Sequence, residues 1–128
     1  MPVTVINDKI DGLIDVWMFP VKSCRVYDGD TLMNIVCDLG FGITISITGR
    51  LYGIDAPEVR GEERPEGIKT RDWLREQLDA AGTVFVQTRP ENEQKTGKYG
   101  RWLITLWADN VNLNERLVNL GLATRATY

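Results

Sequence analysis

The chain of 128 residues is 43% hydrophobic and 26% charged, carries a formal net charge of −3, and contains two cysteines and no histidine. That length holds one domain with a real core and not two. The composition is globular rather than disordered, and no run reaches the roughly 20 apolar residues that would span a bilayer. The missing histidine excludes Ser–His and Cys–His hydrolases, histidine-ligated metal nucleases and imidazole-based ribonucleases. Any chemistry must rest on carboxylates, arginines, lysines, hydroxyls or a metal.

Residues 1–19 read as an N-terminal extension and 20–128 as the domain. The opening Met1-Pro2-Val3-Thr4 has no basic stretch ahead of an apolar core, so no secretory signal is expected and a cytoplasmic location is. Val21 to Tyr27 reads as a strand, Asp28-Gly29-Asp30 as a turn, and Thr31 to Cys37 as a second strand. After a turn at 38–42, Ile43, Ile45 and Ile47 alternate with Thr44, Ser46 and Thr48 in a third strand that continues through Leu51 toward Ile54. Cys24 and Cys37 fall on neighbouring strands; two free thiols are expected, with a cross-strand disulfide as the alternative. A helix is expected from about Glu66 to Ala81, with Leu74, Leu78 and Ala81 on its apolar face and Gly82 as its stop. Strands at Thr83–Thr88 and Arg101–Ala108 follow. Asn112 then caps a second helix, with Glu115 completing a capping box and Leu113, Leu117 and Leu120 sharing a face. The order β-β-β-α-β-β-α is that of a five-stranded OB-type β-barrel with two helices, a mainly β (α+β) fold.

Two acidic segments stand out. Asp28-Gly29-Asp30-Thr31 is, taken alone, an ordinary hairpin turn. Asp55-Ala56-Pro57-Glu58 is, taken alone, the end of a strand, with Pro57 breaking the ladder. A meander can bring both to one end of a barrel, where the carboxylates would repel one another unless a cation sat between them. Asp30, Asp55 and a backbone carbonyl suit a hard divalent ion, which leaves Glu58 to act on water. Arg50 precedes Asp55 by five residues and points to the opposite face of a regular strand, unless the strand twists or bulges at Gly53. With Arg101 it could hold a phosphodiester and neutralise its transition state.

Four blocks in order carry a resemblance. They are Val26-Tyr27-Asp28-Gly29-Asp30-Thr31, Arg50-Leu51-Tyr52-Gly53-Ile54-Asp55-Ala56-Pro57-Glu58, Lys98-Tyr99-Gly100-Arg101-Trp102-Leu103, and Leu113-Asn114-Glu115-Arg116-Leu117-Val118 ahead of Gly121-Leu122-Ala123. Over roughly residues 20 to 126 the chain resembles the staphylococcal nuclease (thermonuclease) family. The resemblance implies a Ca2+ site made by Asp30, Asp55 and the main-chain carbonyl of Ala56. It also implies phosphate binding by Arg50 and Arg101, and a general base at Glu58. Lys98 and Tyr99 match residues that touch a terminal phosphate of the bound nucleotide. The activity implied is metal-dependent hydrolysis of phosphodiester bonds in DNA and/or RNA, by in-line attack that leaves 5′-hydroxyl and 3′-phosphate ends. A catalytically inactive module that binds nucleic acid or a protein is the alternative, and the presence of all five acids and arginines favours the enzyme.

The departures from the family carry expectations of their own. The hairpin between Thr31 and Arg50 is longer, so two strands should run beyond the barrel. The segment 59–66 is acid-rich in place of a lysine-rich loop. The chain ends at Tyr128 without the family's third helix, and Tyr128 could serve as the base-stacking platform. Trp17, Met18 and Phe19, or a second subunit in a homodimer, would cover the apolar surface so exposed. The acidic balance implies weak binding of long polynucleotides with a shallow salt dependence.

Overall fold

In the computed structural model the described residues are 17–88 and 101–126. Strands β1 (Met18–Asp28), β2 (Thr31–Asp38) and β3 (Thr44–Leu51) form an antiparallel meander. β5 (Val84–Gln87) pairs with the start of β1 and with β6 (Trp102–Ala108). Parallel pairing of β3 with β6, Gly49 opposite Trp102 and Leu51 opposite Ile104, closes the ring. The five strands therefore form a barrel, which removes the exposed edge that an open sheet of this size would leave. Its interior is filled by Leu32, Ile35, Leu51, Val86, Ile104 and Leu106. Three two-residue strands complete the ladders: β4 (Ile54–Asp55) with β8 (Thr124–Arg125), and β7 (Val111–Asn112) on β6.

Boundaries differ from the sequence expectation where pairing or capping decides them. β1 begins at Met18 rather than Val21, because Met18–Pro20 pair with Gln87–Phe85, and the Thr88 N–H donates to the Trp17 carbonyl at 3.0 Å. The first helix, α1 (Arg64–Ala80), starts before Glu66, with Pro65 in its first turn, where a missing N–H costs nothing. Its buried face is Gly67, Thr70 and Leu74; Ala81 is the cap residue and Leu78 only half-buried. Cys24 and Cys37 are both free thiols, and burial, the largest cause, pushes both up from the usual thiol range.

Only the tip of the β2–β3 hairpin and the start of β3 stand clear of the barrel, since Ile35 and Cys37 of β2 are buried in the core and Cys37 pairs with Val21. Ile43 and Ile45 are exposed there, and the hairpin tip turns through Gly40, Phe41 and Gly42, all at positive φ.

The second helix, α2 (Leu113–Asn119), is capped as expected, the Asn112 side chain accepting the Glu115 N–H at 3.1 Å. The reciprocal half of the box is replaced. The Glu115 carboxylate takes a two-pronged contact from Arg125 at 2.8 and 2.6 Å, which holds Glu115 below the usual carboxylate range. Leu120 lies beyond the helix end and is exposed. The third buried residue of α2 is Asn114, 3% exposed. Its Oδ1 accepts the Leu106 N–H, and its Nδ2 donates to the carbonyls of Ile104 and Tyr52, all at 3.0 Å.

Cutting away this buried amide breaks all three bonds, and of the groups it held the Ile104 carbonyl still accepts the Tyr52 N–H. Asn114→Ala should therefore cost about 3 kcal/mol in urea unfolding, since each buried group left without its partner costs roughly 1–3 kcal/mol. A loss under about 1 kcal/mol would mean that this amide adds little beyond its packing.

Candidate functional site

The turn that ends β1 builds the floor of the site. The Asp30 N–H donates to Asp28 Oδ1 at 3.1 Å, and the Thr31 hydroxyl donates to Asp30 Oδ1 at 3.1 Å. Asp30 Oδ2 accepts the Ala56 N–H at 2.9 Å, so the two acidic segments, 26 residues apart, are tied directly together.

β3 stops at Leu51, and Tyr52–Gly53 form a turn with Gly53 at φ +82°, a conformation open to glycine at no steric cost. The chain resumes as β4. That interruption is the irregularity a contact between Arg50 and Asp55 requires: it swings Asp55 back toward Arg50. The Arg50 guanidinium bonds the Asp55 carboxylate and lies 3.7 Å from Asp30 Oδ2. A positive charge is thus held between the two acids expected to share a cation.

An open cleft of about 750 Å³ collects these groups. Asp28, Asp30, Asp55, Glu58 and Glu63 line it together with Arg50 and Arg101, and Tyr27 and Met33 supply its apolar patches. Five carboxylates against two arginines is a crowded acidic site. Burial, and then the Asp30 carboxylate beside it, push Asp28 up to about 6. Glu58 stands exposed at the rim.

The acids that Arg50 meets, Asp30 and Asp55, offer carboxylate oxygens, the donor chemistry of a hard divalent cation. Among the described residues no three Cys, Asp or Glu side chains converge into a ready metal cage. Asp30 and Asp55 fit an ion that takes two carboxylates and fills its remaining positions with a backbone carbonyl, water and substrate oxygens. Mg2+ in phosphoryl-handling sites is bound in that fashion, and the more flexible Ca2+ accepts the same mixture of oxygens.

Of the residues singled out in the sequence, Asp30, Arg50, Asp55, Ala56, Glu58 and Arg101 all meet at this cleft. Lys98, Tyr99 and Tyr128 lie outside the described residues. Four contributors escape a reading of the sequence alone. Tyr27 lines the cleft, and its hydroxyl accepts a bond from Arg60 at 2.9 Å. Asp28 reads as a turn residue, and Asn114 as part of a motif without a role. Gly67, in α1, has no distinguishing signal. A Cβ there would lie 2.0 Å from the Glu58 carbonyl oxygen and 2.9 Å from that of Pro57. The helix therefore rests directly on the backbone that carries Glu58.

The fold is an OB-type barrel whose cleft gathers carboxylates, two arginines and a rim glutamate. The family described as staphylococcal nuclease homologue matches residues 48–128, and the chain belongs to that family. The matched stretch takes in Arg50, Asp55, Glu58 and Arg101, and the barrel adds Asp30 to them from outside it.

Helix propensity alone favours Gly67→Ala by up to about 1 kcal/mol. The overlap with the Glu58 backbone acts the other way, overpacking of this kind costing roughly 1–3 kcal/mol. The overlap should win, giving a net loss of about 1 kcal/mol in urea unfolding. A variant more stable than the parent would show that helix and loop separate freely.

Proposed function

We propose that this protein is a divalent-metal-dependent nuclease, with Ca2+ as the ion, that hydrolyses phosphodiester bonds of DNA and/or RNA. The observation that carries this reading is the meeting of Asp30, from the β1–β2 turn, and Asp55, from β4, around Arg50 in a cleft that also holds Glu58 and Arg101. Family membership supports the class of activity.

Asp30, Asp55 and the Ala56 carbonyl would hold the ion. Bound there, it would neutralise the acids and polarise a non-bridging phosphate oxygen. The remaining steps belong to the chain's own side chains. Arg50 and Arg101 present planar guanidiniums to the phosphate, each able to donate two parallel bonds to its oxygens. As water attacks phosphorus, negative charge grows on those oxygens and the two arginines stabilise it. Glu58, at the rim, takes the proton from the attacking water, so that a P–O bond forms to the water oxygen as the P–O bond to the leaving sugar oxygen breaks.

In the resting cleft Arg50 is engaged by Asp55 and Asp30, so a phosphate must compete with two carboxylates for it. Lys98 and Tyr99 would extend the phosphate grip, and Tyr128 would offer a stacking surface for a base.

Cleavage of a fluorescent single-stranded DNA and its RNA counterpart, with calcium, magnesium or chelator, tests the proposal. Metal-dependent cleavage is expected, lost in chelator. Glu58→Gln should keep nucleotide binding and lose about 10²-fold or more in turnover, because an amide cannot accept the proton. Arg101→Lys should also be slower, because a point charge does not replace a planar fork. Binding without cleavage under either metal would overturn the nuclease and leave the binding module.

A further inference from the structure

A second groove, of about 550 Å³, lies between β1 and α1. Lys22, Arg25 and Arg75 line it, with Asp79 as its one carboxylate. The cleft described above has five carboxylates against two arginines, so the two depressions on this small barrel carry opposite charge. They also adjoin. Tyr27 lines the cleft, and Arg25, two residues earlier on the same strand, lines the groove. Val26 between them is buried in the core, so both flanking side chains face outward. Two residues of strand span about 7 Å.

The seam between cleft and groove is also built for a nucleic acid. Tyr27 offers an aromatic ring there, and its hydroxyl is held by the Arg60 guanidinium at 2.9 Å, which places another cation at the junction. Arg75 is fixed at the groove wall by donating to the Val26 carbonyl at 2.9 Å, although Asp72 lies 4.0 Å from it. A ring flanked by ordered cations is the combination that single-stranded nucleic acids use, base on ring and phosphates on the charges. A duplex has no unstacked base to give to Tyr27.

We infer that the β1–α1 groove is an extended binding track for single-stranded polynucleotide. The strand leaves the catalytic cleft over Tyr27 and Arg60, and its following phosphates lie on Arg25, Lys22 and Arg75. The inference deepens the proposed function, on which it rests, by making a polymer longer than the cleft the preferred substrate. It also reverses the expectation drawn from net charge, because these cations are gathered along the path where phosphates would run.

The test is equilibrium binding of fluorescein-labelled oligothymidylates of about 4 and about 16 nucleotides, the range that OB folds cover. The full chain carries Glu58→Gln throughout, so that cleavage is slowed about 10²-fold or more during the measurement, and Lys22→Ala/Arg25→Ala is added in the comparison protein. The parent should bind the longer strand at least about tenfold more tightly, with a steeper fall in affinity as salt rises. The double substitution should bring the affinity ratio toward one. It should also flatten the long strand's salt slope by about 1.4, at roughly 0.7 for each single-strand phosphate no longer neutralised.

An unchanged ratio and slope would overturn the track, as would equal losses for both lengths. Lys22→Ala alone should give about half the change in slope, so the result does not hang on one doubly substituted protein. Because the readout is binding, it stands apart from turnover. A protein that cleaves without any length preference would defeat the track alone, and one that binds by length without cleaving would defeat the nuclease alone.

Discussion

Three hydrogen bonds from one buried amide hold the geometry on which the site depends. Asn114 grips β6 at Leu106 and Ile104 and, with the same Nδ2, the carbonyl of Tyr52. Tyr52 is also bound through its N–H to the Ile104 carbonyl at 2.8 Å. The turn at Tyr52–Gly53 is therefore pinned through both backbone polar groups of Tyr52. If β3 ran on regularly, alternation would send Asp55 to the far side of the sheet from Arg50. The far side of the turn is secured by the end of the described chain, where the Ala126 N–H donates to the Gly53 carbonyl at 2.9 Å and Thr124 pairs with Asp55. A contact between Arg50 and Asp55, five residues apart, is thus fixed by residues about 60 and more positions downstream. Helix α1 secures the next segment in turn, through Gly67 beneath Glu58 and through Thr70, whose hydroxyl donates to the Leu122 carbonyl at 2.8 Å.

What this scaffold holds together is electrostatically costly. Burial first, and then the Asp30 carboxylate beside it, push Asp28 up to about 6, so its ionised form is the costly one here. Arg50 relieves the rest by standing between Asp30 and Asp55. On the proposed function this resting arrangement is a set of groups already in place with temporary partners. A divalent cation is the better match for two carboxylates, and a phosphate is the better match for a guanidinium. Arrival of both exchanges every partner without leaving a buried charge alone, whereas either one alone must displace a bonded group with nothing to replace it. Binding of ion and phosphate is then coupled in both directions, as linkage requires.

The elements legible in the sequence were those with a local signature. Period-2 alternation revealed the meander, Asn112 marked the start of α2, and the two acidic segments were recognisable as strand-end clusters. The order of elements was enough to indicate the barrel. The parts that were not legible depend on partners far away in the chain. Leu120 fits the apolar period of α2 as well as Leu113 and Leu117 do, yet the helix ends before it, and a polar residue takes the third buried place. Nothing in Asn114's neighbours reveals that three backbone groups from β6 and the Tyr52 turn converge on it. Gly67 looks like a weak point in a helix until the backbone of Pro57 and Glu58 is seen lying against it. Glu115 satisfies the pattern of a capping box and still spends its carboxylate on Arg125, which only the folded chain brings near.

Net charge does not tell where on the surface the charges lie. A total of −3 averages over an acid-rich cleft and a groove lined mostly by cations. The acids gather in the cleft, where on the proposed function a dense negative field would serve a cation at short range. The lysine and arginines of the β1–α1 groove sit beyond it. Between exposed charges, screening confines the field to about 8–10 Å at ordinary ionic strength. A phosphate lying on Arg25 or Arg75 would meet those guanidiniums, Asp79 and Asp72 at closest range, and the acids of the cleft more strongly toward the Tyr27 end. For a chain of phosphates the relevant quantity is the sign of charge met at each step along the strand, and β1 runs from the acidic cleft to the basic groove.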